Sequence, residues 1–193
     1  NANVAGGKTD AFITQHLDIK SEITAEGKII NQLKISRRHT GAQEKDWWYR
    51  MTNKNYLKIL VPENSKLISV QGNSAPPPKN KISYSPSYQS DPDLVLIEQT
   101  ANLLDAFQTW TGKEFGKTFF AAWFNLPAGE TKTLTVNYEN GVRLDIQPEN
   151  HYQFIFEKQS GVDGSLEYAI TAPPGYIWKE SGKPTFEYGT QQI

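Results

Sequence analysis

Cysteine is absent from this chain, and methionine occurs once in 193 residues. Without thiols there can be no disulfide, no zinc–thiolate site and no thiol nucleophile. No apolar run approaches the ~18 residues of a membrane span. Excess charge of one sign is missing too. The 20 basic residues nearly cancel the 21 acidic ones, and no block of like charge stands out. That balance disfavours a nucleic-acid footprint. The chain opens Asn1-Ala2-Asn3, with no initiator Met and no signal peptide. It therefore reads as a fragment, or a processed product, of something longer.

Catalytic signatures are equally scarce. His16, His39 and His151 are far apart, with no HxH or HExxH spacing to hold zinc. There is no G-x-S-x-G elbow for a serine nucleophile. Gly6-Gly7-Lys8-Thr9 is too short for a phosphate loop and precedes a strand instead of a helix. Asp46, Asp91, Asp93, Asp105 and Glu114 are loop carboxylates, but nothing marks two of them as an acid–base pair. Asp91-Pro92-Asp93 and Asp163-Gly164 lack the ligand density of a calcium loop. The reading carries no catalytic residue, no metal ligand and no cofactor.

What is present is alternation. Ile13, Leu17, Ile19 and Ile23 are separated by His16, Asp18, Lys20 and Glu22, which predicts a strand. Thr24 to Gly27 predicts a turn, and Ile29, Leu33 and Ile35 a second strand, so the two make a hairpin. Further strands are predicted at Tyr56 to Val61, Leu67 to Val70, Leu94 to Ile97, Val142 to Ile146, Tyr152 to Phe156, Leu166 to Ile170 and from Phe186 onward. Phe115 to Tyr138 reads as two strands about a Pro127-Ala128-Gly129-Glu130 turn, the hairpin at the centre of a sandwich. Its first strand is expected to bury Trp123 between the sheets, with Phe119 and Ala121 on the same face. A short helix is expected at Asn102 to Thr111.

The fold class is therefore all-β: an immunoglobulin-like or jelly-roll-like antiparallel sandwich with at most one short helix. Residues 1–10 read as a linker or an N-terminal edge, and 11–193 as one domain with a variable insertion at 72–113. Pro76-Pro77-Pro78, Pro86 and Pro92 make Gln71 to Pro92 a surface excursion, with a short edge strand at Ile82 to Tyr84.

Aromatic residues are 12% of the chain. Those in strands are assigned to the core. Trp47, Trp48, Tyr84, Tyr88 and Trp110 fall in predicted connections. They either cap the open ends of the sandwich or stack on sugar rings, and capping is the plainer reading. On an extended chain, Trp47 and Trp48 point to opposite sides, so one should be buried and the other exposed.

Several stretches resemble a known family. They are Asn3 to Asp10, Tyr49-Arg50, Asn55 to Pro62, Ser65 to Leu67, Gly116 to Thr118, Pro127 to Thr133 and Tyr152 to Lys158. Together they resemble the C-terminal β-rich region of an exported bacterial family called domain of unknown function 4012. The likeness is weakest from Gly72 to Gly112. It rests on framework strands and turns, so it brings no catalytic residue with it. The resemblance implies a module held outside the cell, or in its envelope, by a membrane anchor beyond this chain. Expected partners are other domains of the same protein, envelope proteins or glycans. Nucleic acid and direct membrane insertion are not expected. The function expected is non-catalytic: display, spacing or protein interaction. The alternatives are a carbohydrate-binding module or an accessory domain of an envelope-polymer transferase.

Overall fold

The computed structural model describes residues 2–77, 85–147, 150–159 and 164–193. The expected strand at Ile82 to Tyr84, and Asp163 of the Asp163-Gly164 pair, lie outside these residues. The fold is an all-β sandwich. One sheet has the strand order β1-β4-β8-β7-β6 and the other β11-β10-β2-β3-β9-β5. The first sheet comprises β1 (Ala2–Asn3), β4 (Asn53–Pro62), β6 (Asn102–Leu104), β7 (Thr109–Glu114) and β8 (Lys117–Leu126). The second comprises β2 (Ile13–Ile23), β3 (Ile29–His39), β5 (Lys66–Gln71), β9 (Thr131–Glu139), β10 (Gly164–Thr171) and β11 (Thr185–Thr190). Among the described residues there is one α-helix, α1, at Pro92–Thr100.

The β2–β3 hairpin is the spine of the larger sheet, paired from Ile13↔His39 to Ile23↔Ile29. Odd-numbered residues of both strands face inward, so Leu17, Ile19, Ile23, Ile29, Leu33 and Ile35 are all buried. Gly27 ends the turn at φ +78, where a Cβ would also strike the Leu144 carbonyl. The opposite wall of the core is Leu57, Val61, Phe120, Phe124 and Leu126. Polar groups enter this core in pairs: Ser21 Oγ donates to Asn31 Oδ1 at 2.7 Å and Arg37 Nε to Gln15 Oε1 at 2.8 Å. Burial pulls the Arg37 guanidinium down to about 10, against the pull of Asp10.

Four expectations need correction. First, the two strands of the Phe115 to Tyr138 stretch do not pair with each other. β8 pairs with β4 and β7, whereas β9 pairs with β3 and β5. The Pro127 to Glu130 turn, with Gly129 at φ +85, carries the chain from one sheet to the other. Second, the parity of β8 is reversed. Phe119 and Ala121 do share a face with Trp123, but it is the outer face. Phe120 and Phe124 point into the core, and Trp123 is half-buried against Tyr56, ring centroids 5.3 Å apart. A strand apolar on both faces leaves its parity open, and pairing with β4 settles it through Leu57↔Ala122 and Ile59↔Phe120.

Third, helix and strand are exchanged around residue 100. The Leu94 to Ile97 run is in α1, not a buried strand. Asp91 caps the helix by accepting from the Asp93 and Leu94 N–H groups, and Pro92 opens it. Residues 102–111 form β6, a 3-10 turn at Asp105–Phe107 and the start of β7, with Gln108 at φ 48 closing the bend. Fourth, Val142 to Ile146 and Tyr152 to Phe156 form no ladder. Their alternation has another cause: Leu144, Ile146, Tyr152 and Phe156 pack against the core from an extended segment lying on the surface.

One pair is also not antiparallel. β10 runs parallel to β2, from Gly164↔Gln15 to Thr171↔Glu22. At the other end, β1 pairs with β4 as the edge of its sheet, and Thr9 is fully buried, donating to the Gly6 carbonyl at 2.8 Å. Residues 72–75 are tied to the fold as well. Ser74 bridges to Trp123, and Asn73 Nδ2 donates to the Phe107 carbonyl at 2.8 Å.

Candidate binding groove

The inner face of β10 and β11 forms one flank of the sandwich. Cross-strand pairs Tyr168↔Tyr188 and Ile170↔Phe186 align their side chains on that face. It is covered by two stretches, 143–147 and 150–156, and by the connection from β10 to β11. The cover is incomplete. A groove of about 1030 Å³ remains between these three walls.

Aromatic rings dominate its lining. Phe154 stacks on Tyr168, ring centroids 4.1 Å apart and planes 9° from parallel. Phe154 is 36% exposed. Tyr152 lies against Trp178 at 6.2 Å, and the Trp178 indole N–H donates to the Ile170 carbonyl at 3.0 Å. That bond fixes the ring over the end of β10. Pro173-Pro174-Gly175 turns the chain ahead of it, with the Tyr176 N–H donating to the Pro173 carbonyl at 3.0 Å. The turn leaves Tyr176 37% exposed and Ile177 63% exposed, and Tyr188 on β11 is 56% exposed.

Polar groups stand on the rim: Arg143, Asp145, Gln147, Asn150, His151, Lys179 and Glu180. Asn150 Nδ2 donates to the Asp145 carbonyl at 2.8 Å, which braces the bend in the outer wall. Arg143 Nε donates to the Glu26 carbonyl and clamps the wall to the β2–β3 turn. Beneath the groove, burial raises the Tyr168 phenol far above its ordinary value, helped by the neighbouring Tyr152. Its hydroxyl feels Tyr152 and Ser21 yet makes no well-formed hydrogen bond. Burial likewise pushes Tyr138 up to about 12, with Tyr152 adding to it. Both phenols stay neutral at physiological pH and act as hydrophobic bulk.

The aromatic residues singled out from the sequence lie elsewhere. Trp47–Tyr49 is a 3-10 turn, so the extended geometry expected for Trp47 and Trp48 is corrected. Their unequal burial stands all the same. Trp47 is 62% exposed, whereas Trp48 is half-buried with its indole N–H enclosed and unpartnered. Their rings meet edge to face at 5.9 Å. Tyr84 lies outside the described residues. Tyr88 is 70% exposed ahead of α1. Trp110 is half-buried on β7, opposite Ala121 and so on the outer face of its sheet. None of the four that are described lines the groove. In the sequence, Tyr152, Phe154, Phe156 and Tyr168 read as core strands because their alternation matches that of a ladder. Pro173-Pro174-Gly175-Tyr176-Ile177-Trp178 was the available signal, since aromatics directly after such a turn are held at a surface.

Two of the carboxylates expected in loops have structural partners. Glu114 pairs with Lys58 on the outer face of the smaller sheet, and Asp91 caps α1. Among the described residues, no three His, Cys, Asp or Glu side chains gather as metal ligands, and no helix is long and apolar enough to cross a membrane.

No family model matches this chain, and no curated protein matches it. Solved structures do. The chain is similar to a two-domain M1 zinc metallopeptidase variant bound to L-arginine, with TM-score 0.38 and 7% identity over 92% of this chain and 38% of that one. It is similar to the M1 zinc metallopeptidase from Deinococcus radiodurans at TM-score 0.37 and 8% identity, again over 92% of this chain and 38% of that one. The chain thus spans well under half the length of these proteins, and a likeness this distant says nothing about its chemistry.

Proposed function

We propose that this chain is a non-catalytic binding module of an exported bacterial envelope protein, and that it works through the aromatic groove at the β10–β11 flank. The observation that carries this reading is the open aromatic lining. Folding gains from burying large rings, yet Phe154, Tyr176 and Tyr188 are left partly in water beside a rim of hydrogen-bonding side chains. The groove is at the upper end of the ~300–1,000 Å³ found for ligand sites. The likeness to the C-terminal region of domain of unknown function 4012 supports the exported setting and an anchor elsewhere in the protein.

The test uses the full-length protein in its own cells. Wild type and Tyr188→Ala are cross-linked at the envelope and recovered. The wild type is expected to carry material that the variant loses, while both remain folded and equally abundant. Identical recovery from both would overturn the reading, as would substrate turnover by the isolated chain. Pure spacing would leave every groove variant silent.

A further inference from the structure

We infer that the groove takes a neutral oligosaccharide, an assignment that rests on the binding-module reading above. A pyranose has two chemical sides: a face of C–H groups that packs on an aromatic ring, and a belt of hydroxyls that needs donors and acceptors. The groove provides both. Phe154 offers a ring face backed rigidly by Tyr168, and Tyr176 and Tyr188 stand exposed along the other walls. Gln147, Asn150 and Glu180 supply amide and carboxylate groups at the rim.

Charge decides between ligand classes. Arg143 and Lys179 line the groove together with Asp145 and Glu180, two of each sign. An anionic polymer would call for an excess of Arg and Lys, and a cationic one for an excess of carboxylates. A balanced rim favours a ligand without net charge. An acyl chain fits less well, because it would desolvate Asp145 and Gln147 on one wall without replacing their hydrogen bonds. The volume of the groove, about 1030 Å³ and at the upper end of the range for ligand sites, favours several sugar units over one. The rings are anchored from behind by the Trp178–Ile170 hydrogen bond and the Pro173 turn, so little order has to be gained on binding.

The experiment titrates the chain with cellohexaose, maltohexaose and N-acetylglucosamine hexamer, with a hyaluronan hexamer as the charged comparison. Calorimetry and amide NMR shifts are the readouts. At least one neutral hexamer should bind with Kd of about 1 mM or tighter, shifting amides at 150–156 and 176–188. Tyr188→Ala and Tyr176→Ala should each weaken it by about tenfold or more. Both side chains are exposed, so thermal melts of the two variants should match wild type. Trp47→Ala should bind as wild type does. No neutral hexamer binding at millimolar concentration would overturn the assignment, as would stronger binding of hyaluronan. Binding unaffected by both tyrosine variants would overturn it too. Should Tyr188→Ala lose its envelope material in cells while no hexamer binds, the binding module stands and the saccharide falls. A peptide strand pairing along 150–156 would then be the ligand to pursue.

Discussion

Truncating Phe124 should destabilise this protein far more than truncating its neighbour Trp123, although Trp is the larger side chain. Phe124 is fully buried between the sheets, with the Lys132 ammonium 5.5 Å from its ring centroid. Replacing such a ring with alanine removes its transfer free energy and leaves a cavity that packed strands cannot collapse. The loss is about 3–5 kcal/mol. Trp123 lies on the outer face with one main aromatic partner, Tyr56, at 5.3 Å. Losing that pair and part of the burial amounts to about 1–2 kcal/mol. With a urea m-value of roughly 2 kcal/mol/M, Phe124→Ala moves the midpoint down by about 2 M and Trp123→Ala by less than about 1 M. Urea unfolding followed by circular dichroism measures both. The m-values must agree with wild type for the comparison to hold. A larger shift for Trp123→Ala would mean that β8 presents its odd residues to the core, and the pairing with β4 described above would be wrong.

Trp48→Ala should lose about 2 kcal/mol and Trp47→Ala less than about 0.5 kcal/mol in the same assay, because only Trp48 is enclosed. Gly27→Ala should destabilise by more than about 2 kcal/mol, combining the strain of a positive φ with collision against the Leu144 carbonyl; a neutral result in thermal melts would remove that contact. Tyr138→Phe should flatten the alkaline loss of stability. The folded phenol titrates at about 12, above an unfolded value near 10. Its contribution is therefore complete below pH ~10 and is lost as pH rises toward 12, worth about 2–3 kcal/mol. Melting both proteins from pH 8 to 11.5 reads the difference. Arg37 titrates in both and cancels, and parallel curves would refute the shift.

Much of the strand content was legible in the sequence, because burial of one face imposes a period of two on any extended segment. The β2–β3 hairpin shows this most plainly, with its alternating Ile and Leu and a turn that ends in glycine. The same period was misleading at Val142 to Ile146 and at Tyr152 to Phe156. Alternation records which side of an extended chain meets apolar surface, not whether the backbone is paired. Those two stretches lie on the core with no ladder, and that is why they wall a groove. The helix at Pro92–Thr100 was readable from Asp91 and Pro92, but the apolar run after them was equally consistent with a strand.

What the chain determines by itself is local: turns at Gly27, Asn64, Gly129 and Gly175, each with positive φ, and extended segments between them. Those signals act over a few residues, so backbone sterics and side-chain periodicity are sufficient for them. Tertiary structure decided which sheet each strand joined. A Pro-Gly turn can close a hairpin or carry the chain across a core, and the residues of the turn are the same in both cases. The crossing after β8, the parallel pairing of β10 with β2 and the inward parity of Phe120 and Phe124 depend on partners about 50 to 150 residues away. The groove depends on all of these at once, because its walls come from three separate parts of the chain and exist only where the sheets have already met.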